Sequence, residues 1–385
     1  MTTSIALPRE HVPAGEDFLL LSPTVQAYAY RNVDRMFATR TIRRGAKVFE
    51  FPRGPEIVPR YRVGGVERTV EDYIDRTNVA GLIVVKSGKI VLERYALGLD
   101  EKTRWSSMST VKSMTSTLVG AAIHDGAIGS LEDGVVRYLP SLAGSAYEPV
   151  TVRHLLTMSS GVQWNELYTD RDSHVNQYSK SLGDKVPGGV LALMRTIPKL
   201  HSPGAQFNYN TGDTYLLGCL VSAATGQDLA SYMSAKIWAN FGMEFDAYYT
   251  LESDDGQEIG GSRAGIALRD FARFGQFLLG DGIADGQPVL PPGWVAEAGR
   301  TSFALDPAQN SYGAGGYGYS WWLDTDGSMV AVGFAGQSLY INRREDLVIA
   351  TLSCWPQPPY DAVYNIDRKA ERLAFRAAVV EHLGT

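Results

Sequence analysis

Four β-rich runs follow one another closely near the carboxyl end and constrain the fold more than any other feature. Beyond Gly316 they read YGYSWWL, SMVAVGFA, SLYINR and LVIATLSC. Parallel strands need a crossover of about a dozen residues or more, so links this short force antiparallel pairing. Asp326-Gly327 is a strong hairpin turn, and a second hairpin is predicted around Ser87-Gly88 in GLIVVKSGKIVLERYALG. The sequence therefore predicts an antiparallel sheet built from both ends of the chain.

Helical patterns lie on either side of these strands and between them. They are predicted over Val111 to Ile123, over IALRDFARFGQFLLGDG and from about Asp361 to His382. The predicted fold is α+β, an α/β sandwich in which terminal helices flank an antiparallel sheet and an all-helical domain is inserted. Its predicted parts are an extension packed on the main body (1–66), an α/β domain (67–126 and 256–385) and a helical domain (127–255), with the active site in the cleft between the domains.

Composition and charge exclude several classes of function. The net charge of −6 is spread along the chain, and no basic cluster suited to nucleic acid is visible. Cys219 and Cys354 are too few and too far apart for a disulfide framework or a zinc site, and we expect two buried thiols. The start of the chain does not resemble a secretory signal, and the longest apolar runs, such as AGLIVV at 80–85, are too short to cross a bilayer. We expect a cytoplasmic protein with no membrane partner.

The stretch WSSMSTVKSMTS, residues 105–116, contains a candidate nucleophile. If a helix begins near Ser109, Lys112 lies on the same face of it, close to the serine hydroxyl. Burial would lower the lysine pKa and allow the neutral amine to act as a base. The alternative is that Ser109 caps the helix and Lys112 is solvated. Ser106 and Ser107 are better cap candidates than nucleophiles.

Two further stretches offer partners for this pair. In FNYNTGDTYLLG, Tyr209 precedes a helical pattern, where its phenol could transfer a proton once an adjacent lysine lowers its pKa. In GFAGQSLYI, two glycines start a strand, where a backbone N–H could join that of Ser109 in an oxyanion hole. The structural alternatives are a core tyrosine and a β-bulge.

Two other patterns carry less weight. GAGGYG at 313–318 has no strand-to-helix turn around it, so a loop is expected rather than a nucleotide site. The six histidines, at 11, 124, 154, 174, 201 and 382, are scattered, which disfavours a histidine triad. His154 is expected to be a satisfied helix residue rather than a base.

The three motifs, in this order and with a helical insertion between them, resemble the β-lactamase and penicillin-binding-protein superfamily. Within that superfamily, the chain looks like the class C, esterase-like branch over residues 67–385. Four further stretches carry this resemblance: DGAIGSLEDGVVRYLP, VTVRHLLTMSSGVQWNE, GGSRAGIALRDFARFG and YGYSWWL. The resemblance implies that Ser109 is the acylated nucleophile, Lys112 its base partner and Tyr209 the second acid/base group. It also implies an oxyanion hole from the backbone amides of Ser109 and Gln337, and neither a metal nor a cofactor.

The chain departs from that superfamily's pattern at two places. Phe334-Ala335-Gly336 lacks the cation that usually begins the third motif, and Thr211 replaces the usual asparagine or serine of the second. The missing cation argues against a β-lactamase or a D-alanyl-D-alanine carboxypeptidase. Candidates for the substrate pocket, each of which could instead be a core residue, are Thr211, Trp164, Glu166, Tyr168, Trp321, Trp322, Phe334 and Gly336.

The sequence thus predicts a serine hydrolase that cleaves esters or amides of small molecules through an acyl-enzyme. The alternatives are a β-lactamase or D-alanyl peptidase, and a catalytically silent binding or scaffold protein. A monomer or homodimer is expected.

Overall fold

The computed structural model describes residues 15–356 and 360–384. Residues 1–14, which begin the predicted extension and include His11, lie outside the described residues. The strands are β1 (Thr39–Ile42), β2 (Tyr61–Val63), β3 (Val66–Arg68), β4 (Val79–Lys86), β5 (Lys89–Tyr95), β6 (Trp105–Ser106), β7 (Ala247–Thr250), β8 (Ala264–Ile266), β9 (Ile283–Ala284), β10 (Gln287–Pro288), β11 (Phe303–Ala304), β12 (Gly316–Tyr317), β13 (Trp322–Leu323), β14 (Met329–Val332), β15 (Ser338–Asn342), β16 (Leu347–Ser353), β17 (Tyr360–Asp361) and β18 (Ile366–Asp367).

The α-helices are α1 (Pro23–Tyr30), α2 (Val33–Met36), α3 (Val70–Arg76), α4 (Val111–His124), α5 (Val152–Leu156), α6 (His174–Gly183), α7 (Gly189–Thr196), α8 (Thr211–Thr225), α9 (Leu229–Met233), α10 (Ala239–Phe241), α11 (Leu268–Leu279), α12 (Trp294–Ala298) and α13 (Arg368–Gly384). Short 3₁₀ helices at Gly15–Leu20, Met108–Thr110 and Phe334–Gly336 matter for the site. Long helices on a sheet built from both chain ends confirm the predicted α+β fold.

An antiparallel sheet of eight strands, in the order β11-β12-β13-β14-β15-β16-β4-β5, forms the main layer. Both predicted hairpins are present: β4 and β5 pair around Ser87 and Gly88, which have positive φ angles of 48° and 71°. β13 and β14 pair across the Asp326-Gly327 turn. The run YGYSWWL is not one strand, because a tight turn at Ser320, with φ of 57°, divides it into β12 and β13.

Successive residues of β4 face opposite sides of this sheet, as the period of two requires. Ile83 and Val85 pack in the larger core cluster with residues of α11. Leu82 and Val84 pack in the second cluster with Phe375 of α13. The main sheet therefore lies between helices on both faces, and this layer is the rigid support for the site.

A smaller antiparallel sheet, in the order β1-β7-β8-β6, joins distant parts of the chain. Its strand β7 lies within residues 127–255, so this segment, predicted to be all-helical, is not entirely so. The four residues of β7 are all buried, and the run Ala-Tyr-Tyr-Thr is too short to show a clear period of two. β1, from the predicted extension, pairs with β7 along its full length. This sheet brings β6, just before Ser109, beside β8.

Both cysteines are buried free thiols, as predicted. Burial raises the pKa of the Cys219 thiol to about 12, which keeps it protonated and unreactive. In the part of the chain that the structure describes, no helix combines the length and the apolar character needed to cross a membrane.

Candidate active site

Ser109 lies where a deeply buried segment reaches the surface of a cavity. The 3₁₀ turn Met108–Thr110 joins β6 to α4, and Met108 has a positive φ of 46°. Every residue of α4 from Val111 to Ala122 is buried, whereas Ser109 is only half-buried. A strained turn of this kind stores energy and is common at functional sites. This turn leaves the Ser109 hydroxyl accessible at the start of an otherwise buried helix.

Lys112 lies one helical turn further on, and its ammonium group points back to the serine. Its Nζ is 3.0 Å from Ser109 Oγ and 3.0 Å from Thr211 Oγ1, and it also donates to the Gly261 carbonyl. The residue is 2% exposed, so desolvation lowers the pKa of the amine to about 8, against the opposing charge of Glu166. The predicted contact between Ser109 and Lys112 is present, and the solvated-lysine alternative is wrong.

Tyr209 lies directly before α8 and faces the same pair. Asn210 caps α8 by accepting a hydrogen bond from the Asp213 amide, at 3.1 Å, which fixes Tyr209 outside the helix. The Lys112 Nζ lies 5.1 Å from the centroid of the Tyr209 ring. The ring stacks on Trp322, with centroids 5.4 Å apart. Tyr209 is therefore held by aromatic packing at the edge of the site.

The pKa of Tyr209 is raised well above its ordinary value, so the predicted lowering by an adjacent lysine is wrong. Desolvation is the main cause, and the nearby phenols of Tyr312 and Tyr317 and the carboxylate of Glu166 add to it. A hydrogen bond with Ser109 opposes the shift only in part. Tyr209 is a neutral phenol at every physiological pH.

Glu166 links the lysine to the pocket candidates of the 164–168 segment. Its carboxylate accepts from the Thr211 backbone at 3.1 Å, the Thr211 hydroxyl at 2.5 Å and the Tyr168 hydroxyl at 2.9 Å, and also from the Trp164 indole. The Thr211 amide is at the start of α8, where the helix dipole favours an anion. Thr211 is thus a bridge between Lys112 and Glu166.

The third motif approaches the serine turn through its backbone. A side-chain carbon on Gly333 would lie 2.8 Å from the Ser107 carbonyl oxygen, so β14 ends in direct contact with the turn before Ser109. The Gln337 side chain is buried and binds Trp105 and Ser353. Among the described residues, neither the Ser109 nor the Gln337 backbone N–H donates to a main-chain carbonyl. Both amides are available to a ligand.

A small cavity opens on Ser109. Of the predicted pocket residues, Tyr168, Thr211 and Phe334 line it, and the Tyr168 and Phe334 rings meet edge to face at 5.0 Å. Trp164 and Glu166 lie behind this wall, and Trp322 lies behind Tyr209. Trp321 is a residue of the larger core cluster and Gly336 packs against the Trp355 indole, so neither reaches the cavity.

The structure adds cavity residues that sequence reasoning missed: Leu19, Met108, Val175, Tyr178, Ser179, Leu182, Ser262 and Arg263. They come from four separate stretches of the chain. The apolar periodicity of α6 does not indicate that the α6 face with Val175, Tyr178 and Leu182 borders a cavity. His154 caps its own helix by accepting from the Thr151 amide at 3.1 Å, as expected of a structural residue. Within residues 15–356 and 360–384, no group of three metal-ligating side chains is close enough to hold an ion.

Comparison with known proteins gives consistent results. The profile of the beta-lactamase family matches residues 66–374. A 6-aminohexanoate-dimer hydrolase from Paenarthrobacter ureafaciens is 30% identical over 302 residues, which cover 75% of this chain and 76% of that one. The structure named "Putative 6-aminohexanoate-dimer hydrolase from Bacillus anthracis" superposes with a TM-score of 0.81 at 22% identity, covering 94% and 95% of the two chains. EstCE1, a hydrolase with promiscuous acyltransferase activity, superposes at 0.60 and 16% identity, covering 80% and 96%.

Proposed function

Because this chain belongs to the beta-lactamase family of serine hydrolases, we propose that it cleaves ester or amide bonds of small molecules through an acyl-enzyme on Ser109. One observation carries the proposal: an accessible serine hydroxyl lies 3.0 Å from a buried lysine amine whose pKa falls to about 8. A hydroxyl this close to a base that is partly neutral at physiological pH is an activated nucleophile.

In the first step, the neutral Lys112 amine accepts the proton of Ser109 as its oxygen attacks the carbonyl carbon. With a pKa of about 8, about one-tenth of the amine is neutral at pH 7. The backbone amides of Ser109 and Gln337 would then stabilise the oxyanion, and their lack of main-chain acceptors supports this role. Each such donor is worth roughly 10²–10³ in rate.

Tyr209 would donate a proton to the leaving group rather than remove one from serine. Its raised pKa keeps it protonated, and it forms a hydrogen bond with Ser109. A neutral phenol is a suitable acid for an amine that must be protonated before it can leave. The protonated Lys112 would return its proton to the Tyr209 phenolate. Water would then attack the acyl-enzyme, Lys112 would accept the water proton, and that proton would pass to the Ser109 oxygen as the acid product leaves.

We expect Tyr209→Phe to lower kcat for an unactivated alkyl amide such as N-butylbutanamide about 10²–10⁴-fold. The loss with p-nitrophenyl butyrate is expected to be much smaller, because p-nitrophenolate leaves without protonation. Tyr312→Phe is the matched control, since Tyr312 also packs on Trp322, at 4.4 Å, but is not a predicted acid. Equal losses on both substrates would contradict the assignment of Tyr209 as the acid.

We expect Glu166→Gln to move the rising limb of the kcat/KM profile to lower pH, by about one unit. The Glu166 charge raises the pKa of Lys112, so removing it lets that pKa fall further. The neutral amine then forms at lower pH, and rates are measured from about pH 5 to 10. Glu381→Gln, on the exposed end of α13, is the control. A shift to higher pH would contradict the role of Lys112 as base.

Similar proteins and the position of Phe334 bear on the type of bond that the enzyme cleaves. The name of the 6-aminohexanoate-dimer hydrolase points to an amide, and EstCE1 is described as a hydrolase with promiscuous acyltransferase activity. Phe334 occupies the place of the cation expected in enzymes that act on penicillins, and its ring packs on Tyr168. We therefore expect no appreciable hydrolysis of a chromogenic cephalosporin.

The experiment that tests the proposal is capture of the acyl-enzyme. The protein is mixed with p-nitrophenyl butyrate, quenched in acid and mapped by peptide mass spectrometry, and the linear 6-aminohexanoate dimer is assayed in parallel. A butyryl group on Ser109 together with turnover supports an acyl-transfer hydrolase. An unmodified Ser109 without turnover of either substrate would instead favour the silent binding protein.

A further inference from the structure

Arg263 is a buried cation in the wall of the cavity that opens on Ser109. It is 4% exposed, and its guanidinium carbon lies 4.1 Å and 4.9 Å from the ring centroids of Phe37 and Phe18. Its Nε has no hydrogen-bond partner in the described structure. The groups that act on its charge there are three phenols, those of Tyr178, Tyr248 and Tyr30, with no carboxylate among them.

Of the other buried arginines, Arg273 and Arg376 are paired with carboxylates, whereas Arg372 donates to the Tyr312 carbonyl and has no ion pair among the described residues. Arg273, 2% exposed, binds Asp270 at 2.8 Å and Glu244 at 3.0 Å, and Arg376 lies 3.4 Å from Asp324. Removing a cation from water without a partner is unfavourable, and aromatic rings compensate only in part. An unpaired arginine that lines a cavity thus has donors left for a bound anion.

Arg263 and Ser109 line the same cavity, so one substrate can contact both residues. Ala264, the residue after Arg263, forms two hydrogen bonds with Ser107. The Ser107 amide donates to the Ala264 carbonyl at 2.8 Å, and the Ala264 amide donates to the Ser107 hydroxyl at 2.9 Å. Arg263 and Ser109 are therefore held on paired segments, on one cavity whose wall also contains Leu19, Val175 and Leu182. A short apolar acyl chain bound in this cavity would contact these aliphatic side chains.

We propose that Arg263 binds a carboxylate at the end of the substrate's acyl chain, so that the enzyme prefers esters or amides of short dicarboxylic acids over those of uncharged acids. The inference rests on the proposed function, since it concerns the substrate of the same serine. Burial lowers the pKa of the Arg263 guanidinium only to about 10, and the group stays charged at neutral pH. Its planar fork can donate two parallel hydrogen bonds to one carboxylate.

The test compares mono-p-nitrophenyl adipate with p-nitrophenyl hexanoate, which have acyl chains of the same length and differ in a terminal carboxylate. We expect the wild type to favour the adipate ester in kcat/KM by about 10- to 100-fold. Arg263→Met is expected to remove most of that preference. Lys89→Met, which removes an exposed charge at the β4–β5 turn, is expected to keep it. A wild type without the preference, or an Arg263→Met variant that retains it, overturns the proposal.

A binding measurement separates this inference from the proposed function. Adipate and hexanoate are titrated calorimetrically into Ser109→Ala and into Ser109→Ala/Arg263→Met. Tighter binding of adipate only where Arg263 is present supports the carboxylate site, even if neither ester is turned over. A lack of turnover would contradict the hydrolase proposal but not the carboxylate site. Equal binding of the two acids overturns the site.

Because methionine replaces an unpaired buried charge, the melting temperature of the Arg263→Met variant is expected to be unchanged or higher. A lower value with an unchanged adipate preference would assign Arg263 a packing role instead.

Discussion

Replacing Ser109 with alanine is expected to lower kcat/KM for p-nitrophenyl butyrate by at least about 10⁴-fold. The hydroxyl is the only group through which the acyl-enzyme can form, so no residual covalent route is left. The remaining rate should come from the oxyanion donors and the cavity alone. Both proteins are purified side by side and assayed at the same concentration, with the loss of p-nitrophenolate release as the measurement.

Ser106→Ala is the matched control for this variant. Ser106 is three residues away on β6, and its buried hydroxyl has no hydrogen-bond partner among the described residues. Its removal tests whether any loss of a hydroxyl near the turn disturbs the site. If Ser109→Ala and the wild type hydrolyse the ester equally fast, the nucleophile assignment fails.

Replacing Lys112 with methionine is expected to lower kcat/KM about 10²–10⁴-fold and to abolish its rising pH limb. In the wild type this limb should have its midpoint near pH 8, because the amine is active only when it has lost its proton. The sign follows from burial: desolvation lowers the lysine pKa, so the neutral base accumulates as the pH rises through that value. Methionine fills a similar volume but accepts no proton.

Lys112→Arg separates basicity from charge. Arginine keeps a cation near Ser109 and Thr211 but cannot deprotonate in the assay range. We expect it to be as inactive as the methionine variant, with a circular dichroism spectrum that matches the wild type. Full activity in a folded Lys112→Arg protein would show that the residue acts as a fixed positive charge, and the mechanism would need a different base.

The parts of the site that sequence predicts are those encoded locally. Three-residue spacing on a helix brings Lys112 beside Ser109, and the Ser87-Gly88 turn fixes the β4–β5 hairpin. The Tyr209 pKa could not be obtained this way, since it depends first on burial and then on Tyr312, Tyr317 and Glu166, which converge only in the folded chain. Arg263 was missed for the same reason: whether an arginine has a carboxylate partner is a property of packing, not of sequence neighbours.

The 3₁₀ helix Gly15–Leu20 has a consequence for how such an enzyme diversifies. It places Leu19 in the wall of the cavity and Phe18 beneath Arg263, although it lies well before residues 66–374 that match the family profile. Part of the cavity wall and the proposed catalytic residues therefore come from separate stretches of polypeptide. Under the proposed mechanism, substitutions in the early stretch can change which acyl chains fit the cavity while Ser109 and Lys112 stay unchanged.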